Sequence, residues 1–245
     1  MSSIPEAFMS GFFRGYYRYT AFLNRLVRTA DINGRPFRVL PSVCKPLGNE
    51  QVIVDYIPSG KNVLEVGCGS GIITLYAAMK SKHVTAVDVS PDAIENTRAN
   101  LAAQGIENVT VFASDCFESV SGEYEVVISN PPWMDLELDD PNRQWASSTK
   151  LIPSLFRDSG RFLVDGGLLA ITCPAAAKQK LLELAQQGGF SLVSTHPREK
   201  RKDLRVRLLT LLYLQVGFHP LVYVFQKDGT AAVVGPDQQH SGTTH

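Results

Sequence analysis

The chain has 245 residues with 44% hydrophobic content, enough to bury one full core with an appendage rather than two equal domains. Lysine plus arginine match aspartate plus glutamate at 24 each, and this zero net charge counts against a general nucleic-acid binder while leaving room for a local basic patch. Cys44, Cys68, Cys116 and Cys173 lack C-x-x-C spacing, and the chain has no signal-type apolar region and no uncharged apolar stretch of spanning length. These features predict free thiols, no metal site, no membrane span and a cytoplasmic protein.

From Pro5 to Ala30 the aromatics Phe8, Phe12, Phe13, Tyr16, Tyr17, Tyr19 and Phe22 interleave with Arg14, Arg18, Arg25 and Arg28. The spacings of three and four suit an amphipathic helix, greasy on one side and basic on the other. A helix that only packs on the domain fits this pattern, and less well a transit peptide or membrane-surface anchor. Val39 to Gly48 reads as an extended, proline-punctuated loop, followed by a short helix from about Asn49 to Ile57.

Asn62 to Val66 is an apolar strand that runs into Gly67-Cys68-Gly69-Ser70-Gly71 and then a helical stretch, Ile72 to Lys80. These glycines permit positive φ and let a ligand lie against bare backbone. Their G-x-G-x-G spacing differs from the G-x-G-x-x-G dinucleotide fingerprint and disfavours NAD. A second strand, Val84 to Val87, ends at Asp88, which lies 21 residues after Gly67, close to the spacing of a carboxylate that accepts ribose hydroxyls. Ser90-Pro91 then cap a helix ending near Gln104. A third strand, Val109 to Ala113, stops at Ser114-Asp115-Cys116, placing another carboxylate at a strand C-terminus.

The strand Tyr124 to Ser129 leads directly into Asn130-Pro131-Pro132-Trp133. Pro131 and Pro132 fix φ and lack N–H groups, so the chain leaves the sheet rigidly and its carbonyls remain acceptors. The Asn130 side chain adds an acceptor and Trp133 a flat face, which together suit a planar group bearing –NH2. Taken alone, the tetrapeptide reads equally well as a proline turn with a buried Trp. An acidic loop, Asp135 to Thr149, precedes a helix over Leu151 to Val164, a strand over Leu168 to Cys173 and a helix over Ala175 to Gln187. The last third holds strands over Phe190 to Thr195 and Leu221 to Gln226. Between them lie a basic run, Arg198 to Arg207, and an apolar run, Leu208 to Phe218, the latter suited to packing on the domain or on a second subunit. His196 and His219 stand at loop positions, and residues 229–245 read as a disordered tail.

Glu65 to Gly71, Asp88, Asp115 and Asn130 to Trp133 resemble the successive motifs of Rossmann-like, S-adenosylmethionine-dependent methyltransferases of the amino-methylating branch. Within that branch the chain is most similar to HemK-type and small-domain methyltransferases, over roughly residues 38–193. The resemblance implies an α/β fold: a seven-stranded, mostly parallel sheet with helices on both faces and an N-terminal helical cap. It divides the chain into a cap at 1–37, a catalytic domain at 38–228 and the tail. It implies S-adenosylmethionine held by Glu65, Gly67, Cys68, Gly69, Gly71, Asp88, Val89, Asp115, Cys116 and Asn130, with Glu65 on the methionine part, Asp88 on the ribose and Asp115 with Cys116 on the adenine. Asn130, Pro131, Pro132 and Trp133 would hold the acceptor. Its implied substrates are a protein glutamine-type amide first, a small-molecule amine next, and the exocyclic amine of an RNA or DNA base third. Trp133 stands where the glutamine enzymes usually carry Tyr.

Overall fold

Short, β-branched runs without a polar face need cover on both sides, which a parallel sheet between two helix layers provides. A computed structural model describes residues 6–47, 49–133, 140, 142, 147–197, 204–213 and 220–229 and has this architecture. In chain order, α1 (Glu6–Leu26) leads to the hairpin β1 (Thr29–Ile32) and β2 (Arg35–Arg38) and to a 3-10 segment, Glu50–Tyr56. Then come β3 (Asn62–Val66), α2 (Ile72–Ala78), β4 (His83–Asp88), α3 (Pro91–Ala103), β5 (Val109–Ala113) and β6 (Tyr124–Ser129). The remainder is α4 (Leu151–Asp158), β7 (Leu163–Pro174), α5 (Lys178–Gly188), β8 (Phe190–Pro197), α6 (Leu204–Leu212) and β9 (Pro220–Lys227).

The seven-stranded sheet runs β5-β4-β3-β6-β7-β9-β8, parallel through β7, with β9 antiparallel to both of its neighbours. Successive strand residues alternate between two cores. Val63, Val126, Ile128, Val222 and Val224 pack with Ile73 and Leu75 of α2 and Ile94 and Leu101 of α3. Leu64, Val66, Val127, Tyr223 and Phe225 pack with Leu155 and Phe156 of α4 and Leu181 of α5. Helices therefore cover both faces. The order reverses between β3 and β6, and this switch point opens a crevice at the strand C-termini, where open α/β sheets hold ligands.

Two expectations change. The N-terminal segment is not helical to residue 37: α1 ends at Leu26 and Asn33-Gly34, with φ of 54° and 78°, turns a tight hairpin. The helix expected to reach Val164 stops at Asp158, and β7 already starts at Leu163, where Tyr124 pairs with it before a register shift. Gly166-Gly167 bend this strand without ending it. A Cβ on Gly167 would sit 2.9 Å from the Val164 carbonyl, so only glycine fits the bend. Of the apolar run 208–218, Leu209 and Tyr213 pack with Leu23 and Leu47 as expected of a segment that packs on the domain, while Leu208, Leu211 and Leu212 of α6 are exposed. Residues 214–219, residues 198–203 of the basic run, most of the acidic loop and the tail from 230 lie outside the described residues.

The α1 helix is moored by polar groups as much as by apolar ones. Asn24, 1% exposed, donates to the Val43 carbonyl at 2.8 Å and accepts from the Tyr213 hydroxyl at 2.8 Å. Lys45, also buried, donates to the carbonyls of Val27 and Thr29, and burial lowers its pKa to about 8. The exposed Tyr19 hydroxyl bonds the Leu212 carbonyl at 2.7 Å. Tyr213→Phe leaves the buried Asn24 oxygen unsatisfied and should cost about 1–3 kcal/mol, whereas Tyr19→Phe should stay within about 0.5 kcal/mol. Urea titrations that rank the two variants the other way would contradict this mooring.

Candidate active site

At the end of β3 the backbone turns back over β4. The N–H groups of Gly67 and Cys68 both donate to the Val87 carbonyl, at 2.8 and 3.1 Å, and the Gly69 N–H donates to Asp88 Oδ2 at 3.0 Å. Gly67, Gly69 and Gly71 all have positive φ. Their spatial roles differ. A Cβ on Gly71 would lie 3.0 Å from Thr97 Cα, so this glycine serves the packing of α2 on α3. A Cβ on Gly69 would meet nothing within 4 Å, leaving bare backbone facing open space.

Asp88 accepts from Gly69 and, at 2.9 Å, from the Ser90 N–H. Burial lifts its pKa above the ordinary aspartate value, and the amides of Ser90, Gly69 and Val89 pull against that rise. A carboxylate has about four lone-pair sites, so two amides leave room for two hydroxyl donors. Glu65, 1% exposed, accepts from the Thr74 hydroxyl of α2. Desolvation pushes its pKa up to about 8, opposed by that hydrogen bond. Cys68 turns its thiol into the core against Thr97 Oγ1, so only its backbone faces the loop. Val89 is half-buried just beyond Asp88.

After β5, Ser114 braces a turn by donating to the Cys116 carbonyl at 3.0 Å and accepting from the Ser119 N–H at 3.0 Å. Cys116 has φ of 50° and is half-buried, with burial raising its thiol to about 11. Asp115 is paired with Lys150 at the start of α4. On β6, the Ser129 hydroxyl donates to the Val66 carbonyl at 2.6 Å, and the pairing of Glu65 with Ile128 makes the ends of β3 and β6 neighbours, so Gly67 and Asn130 each open the turn that follows one of them. Pro131 is buried, and Trp133 donates its indole N–H to the Thr172 carbonyl of β7 at 3.3 Å while packing on the second core. His196 is used elsewhere: it stacks on Tyr56 with ring centroids 3.8 Å apart. Among the described residues no group of His, Cys, Asp and Glu is arranged to hold a metal, and no helix is long and apolar enough to cross a membrane.

Sequence reasoning missed a pair of asparagines that hold the glycine loop. Asn96 and Asn100, one turn apart on α3, both donate to the Ser70 carbonyl and to the Arg38 carbonyl, and they accept from the N–H groups of Leu40 and Arg38. Their i, i+4 spacing was the available signal, since it puts two amides on one stripe of a helix that also buries Ile94 and Leu101.

The model of the methyltransferase small domain matches residues 49–195. The chain belongs to that family. S-adenosylmethionine is the cofactor this membership assigns, and the site suits it: spare acceptor capacity at Asp88, an open backbone at Gly69 and a carboxyl at Glu65 that a cation would stabilise. Ribosomal RNA small subunit methyltransferase C from Enterobacter sp. (strain 638) is 34% identical over 181 residues, 67% of this chain and 50% of that protein. The chain thus spans about half the length of the curated relatives it matches. Among solved structures, a methyltransferase from Pyrococcus furiosus superposes with a TM-score of 0.60 at 18% identity, over 88% of this chain and 98% of that one. TrmN from Thermus thermophilus gives 0.51 at 23% identity, over 72% and 46%. These two likenesses concern the fold.

The raised Glu65 pKa makes a prediction for the small-domain protein without ligand. The unfolded chain gives up this proton near the ordinary glutamate value of 4.5 and the folded chain keeps it to about 8, so stability falls as pH rises through that window. Glu65→Gln should match wild type near pH 4.5 and exceed it at pH 8 by at least about 2 °C in thermal midpoint. A wild type that is the more stable of the two at pH 8 would contradict the assignment.

Proposed function

We propose that this chain transfers a methyl group from S-adenosylmethionine to the exocyclic amino nitrogen of a base in ribosomal RNA. The observation that carries the reading is the juxtaposition of Asn130 with the glycine loop, through the Ser129 to Val66 bond and the β3–β6 register. An aryl amine and a side-chain amide would fit Asn130 to Trp133 equally well, so the site chemistry does not choose between them. The names of the 34% identical relatives favour the base, and the order expected from sequence, with a protein amide first, gives way on that ground. A cytoplasmic location follows from such a substrate.

In this reading Asp88 would accept the ribose hydroxyls with lone pairs that the Gly69 and Ser90 amides leave, and Glu65 would hold the cofactor's amino group. S-adenosylmethionine, when bound, supplies a methyl made electrophilic by its sulfonium. The Asn130 side-chain oxygen and the Pro131 carbonyl accept the two amino hydrogens. An exocyclic amine has its lone pair delocalised into the ring, and these bonds turn it toward the methyl while stabilising the positive charge that grows on nitrogen. The proton is lost to water after transfer, so no side chain has to act as a strong base. Trp133 is held by its bond to Thr172, which fixes the indole plane as a stacking surface for the base.

Incubating the protein with S-adenosylmethionine carrying a deuterated methyl and with small-subunit ribosomal RNA, followed by digestion to nucleosides, should give label on a base exocyclic nitrogen by mass spectrometry. Label only in protein or in small molecules would overturn the substrate. Asp88→Ala should weaken cofactor binding by about 2–4 kcal/mol, through loss of two charge-assisted hydrogen bonds. Calorimetry that finds the affinity unchanged would remove Asp88 from the ribose site.

A further inference from the structure

Residues 11–38 contain six arginines, no lysine and one acid, Asp31, so this stretch carries +5 while the rest of the neutral chain carries −5. Asp31 is itself engaged, accepting from the Gly34 N–H in the hairpin turn. A face that serves only solubility mixes lysine with glutamate. Guanidinium groups are weakly hydrated forks that grip phosphate oxygens in pairs, which is the use an all-arginine face fits.

On α1, Arg18, Phe22 and Arg25 stand at i, i+4 and i+7 and so form one ridge. All three are exposed, Phe22 by 56%. An aromatic face lies between two guanidinium groups, the arrangement of a stacking platform for an unpaired base flanked by phosphate contacts. The positive stripe continues past the helix. The Val39 N–H donates to the Arg28 carbonyl at 2.8 Å and Arg38 pairs with Thr29, so Arg28 and Arg38 stand diagonally across the base of the hairpin, both exposed. None of Arg18, Arg25, Arg28 and Arg38 forms an ion pair among the described residues.

The ridge is fixed relative to the active site. Asn24 of α1 donates to the carbonyls of Leu40, Pro41 and Val43, and Ser42 between them bonds Asp92 in the first turn of α3, two residues beyond Ser90 and beside Asp88. Asn96 and Asn100 tie the Arg38 backbone to Ser70 of the glycine loop. These bonds tie the arginine-bearing segment to the helix and the glycine loop at the C-terminal edge of the sheet. This segment also lies outside the matched range 49–195, so the shared domain does not account for it.

We propose that the Arg18–Phe22–Arg25 ridge, extended by Arg28 and Arg38, is the docking surface for the unpaired RNA strand that flanks the target base. The proposal rests on base methylation as the function. It assigns capture of the strand to charge and stacking outside the family domain, and chemistry to the sheet edge.

The test is equilibrium binding of the full chain to a small-subunit ribosomal RNA transcript over a range of salt, with RNA methylation kinetics alongside. Replacing Arg18, Arg25 and Arg28 together by Gln should weaken binding at least about 30-fold at 0.1 M salt and lower the slope of log Kd against log salt by about 2, the value for three single-strand phosphate contacts. The KM for RNA should rise while kcat, cofactor affinity and thermal midpoint hold. The triple Lys variant should keep the salt slope, and Phe22→Ala should lose roughly 5- to 100-fold in affinity with the slope unchanged. A triple Gln variant that binds and methylates the transcript like wild type would overturn the docking surface and leave base methylation standing. A wild type that binds phosphatidylserine vesicles through these arginines and not the transcript would also overturn it. A wild type that neither binds nor methylates the transcript would overturn both readings.

Discussion

The site depends on how β3 and β6 are held together at their C-terminal ends. Ser129, fully buried, reaches across to the Val66 carbonyl at 2.6 Å, just where both strands leave the sheet and the regular ladder bonds stop. On one side of that bond the chain enters the glycine loop, and on the other it enters Asn130 and two prolines. An acceptor nitrogen and a methyl donor must meet within a few tenths of an ångström to react, and loops alone do not supply that precision. Here the two halves diverge from a shared, dry hydrogen bond between neighbouring strands. The fixed φ values of Pro131 and Pro132 carry the same stiffness outward to Trp133, whose indole N–H ends on β7.

Burial shapes the electrostatics of this edge. Glu65 and Asp88 are both raised by desolvation, so the protein without ligand holds two carboxyl groups in an environment that resists their charge. Such a site is poised for hydroxyl donors and a cation. Around it, structural polar groups hold the loop in shape: Thr74 on Glu65, the Gly69 amide on Asp88, and Asn96 with Asn100 on Ser70. The same asparagines reach Arg38, so the segment before the family domain is bonded to the loop.

Much of this was legible because it is local. The glycine run after an apolar strand, an acid at the end of the next strand and Asn-Pro-Pro-Trp after a third each declare a strand C-terminus within a few residues, and parallel topology then brings those ends together. What was missed needed tertiary information. The Asn33-Gly34 hairpin signal stood in the sequence, just past the aromatic pattern that ends at Ala30, and was not read. The expected helix to Val164 left Gly166-Gly167 between two elements, and only the crowding around Gly167 shows that the pair bends a strand that has already begun. Lys150 on Asp115 joins residues 35 apart, and no local pattern announces it. The sequence put a protein amide first and the relatives' names favour a base, a choice the site residues leave open since an amide and an aryl amine present the same two hydrogens to Asn130.

The central claim is that Asn130 acts on the nucleophile as charge develops, beside a separately built cofactor site. It is tested most directly by measuring cofactor affinity and single-turnover methylation together in Asn130→Ala. The account predicts affinity within a few-fold of wild type and a transfer rate lower by about 10²-fold or more, since the lost bonds strengthen only as the transition state forms. A wild-type transfer rate, or a rate loss that cofactor affinity fully explains, would contradict it.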